Sequence, residues 1–321
     1  MRFRYWFIFL MYIFFSCIPH GKEIPTDPRT FDPSSTDLLE LSSALPYFKD
    51  FIKASDQTKI TNLLEDDGPY TIFMPNQLAF SRFRSEKGIN STDQVPEEDL
   101  KQILLYHIIR GRWLLLIIPI GYYPTLALEK TTGNPIDLFI DTGDLLRLNG
   151  VVTLDEPNLE STNGVIHSIN AVLNIPTIMT HLSVNGELSM IYAILNRTDI
   201  LGEFSDLLSD QVGPYTFFAP DNDAMLSFLA ENPEWETMDE IPSETLIEII
   251  KYHLVPDVNI LVKNIEKTAA VIPSNGGILT IQSSYPDWYV LDGQNHKAEI
   301  ILHDIQGTNG VIHQIDRILT P

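Results

Sequence analysis

The sequence predicts an α+β protein made of two copies of one domain. Three observations carry this: an internal repeat, helical patterning early in each copy, and strand-like segments late in each copy. Gly68-Pro69-Tyr70-Thr71-Ile72-Phe73-Met74-Pro75 returns 145 positions on as Gly213-Pro214-Tyr215-Thr216-Phe217-Phe218-Ala219-Pro220. Tyr106-His107 returns as Tyr252-His253, 146 positions on. Thr162-Asn163-Gly164-Val165-Ile166-His167 returns unchanged as Thr308-Asn309-Gly310-Val311-Ile312-His313, again 146 on. Anchors at a nearly constant offset mean a duplicated domain and not a short-period solenoid. The copies are expected over 38–176 and 182–321, joined by a short linker at 177–181. A chain of 321 residues suits about two domains.

Each copy follows the same order of elements. Leu38, Leu41, Leu45, Phe48, Phe51 and Ile52 recur at helical spacing, as do Leu188, Ile191, Ile194 and Leu195. Residues 70–74 and 215–219 read as short buried strands. Pro75-Asn76 and Pro220-Asp221 end them, and Asn76 and Asp221 are suited to cap a following helix. Further helices are expected to end with the segments 100–109 and 246–254. Strands follow at 136–140, 151–154 and 165–173 in the first copy. In the second they follow at 278–282, 288–291, 299–304 and 311–319. Asn163-Gly164 and Asn309-Gly310 are turn dipeptides, with positive φ expected at Gly164 and Gly310. Helices first and strands later define the α+β class.

Composition excludes several functions. Hydrophobic residues make up 44% and charged residues 20%, enough apolar material for two cores. The net charge is −22 and no Lys/Arg stripe is present, so no nucleic-acid partner is expected. Arg2 and Arg4 precede an unbroken apolar run at 7–15, and Ser16-Cys17 follows. This pattern predicts an export signal over 1–16, too short to span a bilayer, which takes about 20 residues. Cys17 is the sole cysteine, so no intrachain disulfide forms. Its place after the apolar run resembles a bacterial lipoprotein signal, which implies lipidation at Cys17 and a membrane partner through that anchor. Simple secretion is the alternative. Residues 17–37 are rich in Pro, Thr, Ser and Asp and read as a tether.

The repeated segments resemble the fasciclin family. They are Thr71-Ile72-Phe73-Met74-Pro75 with Thr216-Phe217-Phe218-Ala219-Pro220, the two Tyr-His pairs, and the two Asn-Gly-Val-Ile-His segments. Copy two closes in Leu319-Thr320-Pro321, and copy one, one residue longer, in Leu173-Asn174-Ile175-Pro176. The resemblance implies a β-sandwich or wedge surrounded by helices. It also implies an exported cell-surface or envelope protein that binds a surface or matrix protein or a glycan, with no cofactor. A structural accessory subunit of an envelope complex, serving for example glycan capture, is the alternative. In animal members the Tyr-His pair and an Asp-Ile pair are tied to integrin recognition. That points to Tyr252, His253, Asp199 and Ile200 as binding residues, with Asp56-Gln57 as the counterpart of Asp199-Ile200 in copy one.

The remaining motifs carry little chemistry. His107, His167, His253 and His313 each lie in an apolar segment without a carboxylate at ligand spacing, so a hydrogen-bonded structural role is expected and no metal. Asp221-Asn222-Asp223 lacks the Gly and terminal Glu of a calcium loop. Phosphate-binding loops, nucleophile elbows and zinc-protease motifs are missing, so no enzyme is expected. Residues 113–123, Trp113-Leu114-Leu115-Leu116-Ile117-Ile118-Pro119-Ile120-Gly121-Tyr122-Tyr123, have two readings. They form either a buried strand leading into a turn, or an exposed apolar edge in which Trp113 meets a partner.

Overall fold

A computed structural model describes residues 34–143, 145–209 and 212–321. The expected signal, the lipidation site Cys17 and the tether up to residue 33 lie outside the described residues. The last tether residues belong to the fold: Thr36 is buried, and the Asp37 carboxylate accepts from the Glu40 amide to cap the first helix.

The first domain opens with α1 (Leu38–Ala44), α2 (Lys49–Thr58) and α3 (Thr61–Leu64). There follow β1 (Tyr70–Pro75), α4 (Gln77–Lys87), α5 (Glu97–Tyr106) and β2 (Ile108–Arg110). β3 (Gly121–Leu128), β4 (Pro135–Asp141), β5 (Arg147–Leu148), β6 (Val152–Ser161) and β7 (Gly164–Ile169) complete it. The second domain repeats the order with α6 (Ile178–Val184), α7 (Ser189–Leu195), β8 (Tyr215–Pro220), α8 (Asn222–Glu231) and α9 (Ser243–His253). Its later strands are β9 (Leu254–Val255), β10 (Thr268–Val271), β11 (Leu279–Ser284), β12 (Asp287–Leu291), β13 (Lys297–Gly307) and β14 (Gly310–Ile315).

In the first domain the strands close into a barrel in the order β1 to β7. In the second they form one seven-stranded sheet, β10-β11-β12-β13-β14-β8-β9. Both sheets share one unusual pairing, in which the first strand runs parallel to the last. Tyr70 lies opposite Gly164 through to Pro75 opposite Ile169, and Tyr215 opposite Gly310 through to Pro220 opposite Ile315. Alternation along β1 sends Ile72 and Met74 into one apolar cluster and Phe73 into another. In β8, Phe217 and Ala219 face one cluster and Phe218 the other. These strands are buried on both faces, which is why they read as continuous apolar runs. β6 and β13 are long and carry register shifts, the bulges that bend them around the core.

Four expectations need correction. First, residues 177–181 are not a linker. Thr177 caps α6 by accepting from the Thr180 amide, and Ile178, Met179 and Leu182 enter the second core. The helices before the first strand of each copy stand 140 residues apart, as Asp37 and Thr177 do, whereas the strand motifs stand 145 or 146 apart. Aligning on strands therefore missed the start of the second copy. Second, α5 stops at Tyr106, because Ile108 and Ile109 are needed as a strand beside β1. Third, Gly164 does not take positive φ, although Gly310 does at 148°. Crowding demands glycine at both places: a Cβ on Gly164 would collide with the Tyr70 carbonyl oxygen, and one on Gly310 with the Tyr215 carbonyl oxygen. Fourth, residues 113–117 are not a buried strand, as described below.

Gly164→Ala and Gly310→Ala are each expected to lower stability by about 1–3 kcal/mol, the usual range for forcing atoms into a packed site. Gly202 has open space around its missing side chain, so Gly202→Ala should be nearly neutral. Urea unfolding of the three variants checks this; equal stability for all three would contradict the close strand approach.

Candidate functional site

The repeated polar residues form one internal network, built twice. His107 donates from Nδ1 to the Ile103 carbonyl at 2.7 Å and accepts at Nε2 from the Leu173 amide at 2.9 Å. His253 does the same with Ile249 and Leu319, at 2.7 and 2.9 Å. Each ties the end of a helix to the tail of its domain. His167 and His313 take the opposite tautomer. Nε2 donates to Trp113 or Ile260, both at 2.8 Å, and Nδ1 accepts from the amide of Asn158 or Asp304. Asn158 and Asp304 sit in the β6 and β13 bulges with φ of 61° and 60°. Their side chains accept from the Leu115 and Val262 amides at 2.8 Å. Thr71 and Thr216 complete the set, each bridging two backbone groups of the loop after β2 or β9.

Sequence reasoning missed Asn158 and Asp304, although they stand 146 apart and nine residues before a motif histidine. Tyr106 and Tyr252 are also buried, bonded through their hydroxyls to the Asp137 and Ile278 carbonyls. Tyr252 and His253 therefore present no surface to a partner, contrary to the binding role expected for them. Among the described residues, no cluster of three His, Cys, Asp or Glu could hold a metal ion.

The Asp199-Ile200 pair is split by the fold. Ile200 is fully buried in the second core and cannot serve as an apolar contact. Asp199 stays at the surface, where Arg197 meets both its oxygens, at 2.8 and 3.2 Å. The bonds from Arg197 hold its carboxyl below the usual range. Arg197 also reaches the Met238 and Ile241 carbonyls. The counterpart in the first domain is Lys59-Ile60, not Asp56-Gln57. Ile60 is buried and accepts from the Leu63 amide, as Ile200 accepts from the Glu203 amide.

Residues 113–120 form an exposed arm. Leu115–Ile117 make a 3-10 turn, with Leu116 94% exposed and Ile117 and Ile120 each 59%. Thr71, Asn158 and His167 take up the backbone groups of Trp113 and Leu115, so this stretch joins no strand ladder. Half-buried Trp113 packs edge-on against Tyr123 at 5.6 Å, and its indole N–H donates to the Arg110 carbonyl. The second domain makes the matching 3-10 turn at Val262–Asn264, but the exposed positions equivalent to Leu116 and Ile117 are there the polar Lys263 and Asn264.

The domains meet through a polar and apolar seam. The Gln306 amide of β13 donates to the buried Asp137 carboxyl of β4 at 2.7 Å. Burial raises Asp137 to a pKa of about 7. The Asn259 amide nitrogen bridges Thr132 and Gln306. Tyr122 packs against the core of the second domain, edge-on to His181 at 5.3 Å. Beside the seam is a groove of about 460 Å³, lined by Phe83, Ile89, Ile103 and Leu128 with exposed Lys87 and Lys130.

These burials predict a pH dependence. Desolvation lowers His107, His181, His253 and His313 to about 4, against an ordinary 6.5. Below pH 6.5 the unfolded chain binds protons that the fold refuses. Their contribution is full above about 6.5 and is lost toward pH 4, by up to about 1.4 kcal/mol per pH unit for each. Asp137 acts oppositely: the fold keeps its proton up to about pH 7, so its contribution declines between pH 3.8 and 7. Four groups outweigh one, and stability should fall from pH 6.5 to 4.5 in denaturant titrations. His181→Leu should shallow that slope by up to one proton; an unchanged slope would show that His181 is not held neutral.

Comparison with known proteins agrees with this geometry. The Fasciclin domain profile matches residues 46–176 and 186–321. The chain is similar to human periostin, 28% identical over 290 residues, covering 83% of this chain and 30% of periostin. It thus spans about a third of that protein's length. It is 21% identical over 289 residues to the fasciclin-like arabinogalactan protein elcF of Phaeosphaeria nodorum, covering 87% of this chain and 84% of elcF. Among solved structures, the FAS1 domain pair of the insect cell adhesion molecule Fasciclin I superposes with a TM-score of 0.53 at 18% identity. That match covers 86% of this chain and 97% of the domain pair, and it shows the shared fold. With both halves matched, both sheets built on the same parallel pairing and the same histidine network built twice, the chain belongs to the fasciclin domain family as a tandem pair.

Proposed function

We propose that this chain is an exported adhesion module, held at the cell surface through Cys17, in which two fasciclin domains act as one stiff binding unit. The seam carries this reading. A buried Asp137–Gln306 bond and Tyr122 lodged against the second core resist hinging, so a load on one domain passes to the other. The match to a domain pair from a cell adhesion molecule supports the same reading. The motif histidines are neutral and bonded to backbone, which makes them scaffolding and not acid–base groups. The partner class is a surface or matrix protein or a glycan. Asp199, exposed beside Ser243 and Arg197, is the residue of the expected pair that remains open to such a partner.

The full chain on beads is expected to retain at least one member of a matrix-protein or glycan array saturably. Asp199→Ala should weaken that retention with little change in Tm, because the ion pair with Arg197 is at the surface. Retention no greater than that of an equally acidic control protein would end the adhesion reading. A lowered Tm with unchanged retention would assign Asp199 to the fold.

Anchoring is a separate test. In a bacterial host, Cys17→Ser should move the protein from the membrane fraction to the soluble fraction. Absence of labelled fatty acid on the unchanged protein would remove the anchor from the proposal.

A further inference from the structure

The geometry points to a lipid-seating tip on the first domain: Leu116, Ile117, Ile120 and Leu145 enter the acyl region of a bilayer and orient the domain pair on it. This goes beyond the adhesion reading and does not depend on the partner.

Four observations converge. The apolar side chains cluster at one end of the sheet. Gly121 pairs with Ile140 and Asp141 with Arg147, which brings Ile120 beside the β4–β5 turn that carries Leu145. Ile118 and Leu146 sit buried beneath them in one core cluster. Leu116 is 94% exposed and Leu145 64%, so these side chains are open to solvent.

Part of the arm's backbone is satisfied from within. The Trp113 and Leu115 amides donate to Thr71 and Asn158, the Trp113 carbonyl accepts from His167, and the Ile117 amide donates to the Leu114 carbonyl. The Tyr123 hydroxyl donates to the Pro119 carbonyl. Entering hydrocarbon would otherwise strip water from these groups and leave them unpaired.

The surroundings suit a membrane interface. Trp113 and Tyr123 flank the arm with polar tips and apolar bodies, the residue types found at headgroup level. Arg110, Arg112 and Arg147 stand near it with Asp141 and Glu160, a mixed set with one cation in excess within a chain of net charge −22. Mixed charge favours a zwitterionic surface over a strongly anionic one.

The chain also arrives at this end. The Thr162 amide donates to the Thr36 carbonyl, and Arg112, which leads into the arm, donates to the Thr162 carbonyl at 3.1 Å. The segment upstream of Thr36 carries the apolar run at 7–15 and Cys17. A hold taken at Cys17 would keep this end of the domain within the tether's reach of the bilayer. Domain two, whose matching turn carries the polar Lys263 and Asn264, is left free for a partner.

The test uses the full chain with Cys17→Ser and Leu116→Cys, carrying a nitroxide at the new thiol and reconstituted into phosphatidylcholine vesicles. A matching label at Tyr285, 96% exposed in the second domain, is the aqueous reference. The label at 116 should collide freely with oxygen and lose collisions with a water-soluble nickel complex. An Ile117→Cys label should behave alike, which guards against distortion by one probe. Collisions with the nickel complex equal to those at Tyr285 would overturn the proposal. So would shielding from both reagents with dipolar broadening, which would reveal a second copy on the arm. Either failure leaves array retention untouched, since that is read without vesicles.

Discussion

Both domains depend on the parallel pairing of their first strand with their last. β1 and β7 are separated in sequence by nearly the whole domain, yet they are bonded over six residues. The same holds for β8 and β14. The residue before each final strand organises the join. Asn163 accepts from the Leu38 amide and donates to the Leu64 and Asp66 carbonyls. Asn309 accepts from the Ile178 amide and donates to the Leu207 carbonyl. One side chain thus fixes the first helix, the segment before the first strand and the start of the last strand. Buried amides need such partners, since an unpaired one costs about 1–3 kcal/mol. The glycine that follows lets the backbones approach within the reach of these bonds.

From that join the rest of the domain follows. The paired strands are buried on both faces, so each presents alternate side chains to two apolar layers. The motif histidine one layer in stacks on the phenylalanine of the first strand, His167 on Phe73 at 5.5 Å and His313 on Phe218 at 5.4 Å. Its two nitrogens then hold the bulge and the loop. Because both are committed to backbone partners, the ring must be neutral, and desolvation keeps it so. A site that looks like repeated acid–base chemistry in the sequence is in the fold a pair of cross-braces.

Duplication has not kept the surfaces alike. The same Thr, His and Asx brace holds the loop after β2 and the loop after β9. In the first domain the exposed residues that follow are the apolar Leu116 and Ile117, whereas in the second they are the polar Lys263 and Asn264. A shared brace therefore permits different outer loops without disturbing either core. The seam adds a further asymmetry. Asp137 of the first domain and Gln306 of the second bond to one another, so β4 of one domain and β13 of the next present different, complementary edges.

The repeat, the α+β class, the helix caps at Asn76 and Asp221 and most of the late strands were legible in the sequence, though not β3, β5 or β10, because each legible part rests on local chemistry or on period. Glycine at 164 and 310 was legible as a requirement but not in its cause: the sequence points to a turn, while the fold shows backbone against backbone. The helix at 178–184 was obscured because the copies differ in length between helices and strands, so one offset does not serve both. Burial of Tyr252, His253 and Ile200 was decided only in three dimensions. No local pattern states whether a polar or apolar pair near a helix end faces the core, since that depends on which distant strand packs over it. The arm at 113–120 shows the same limit. Its composition reads equally as buried strand or exposed edge, and the choice was made by Thr71, Asn158 and His167, three residues remote in sequence that claim its backbone.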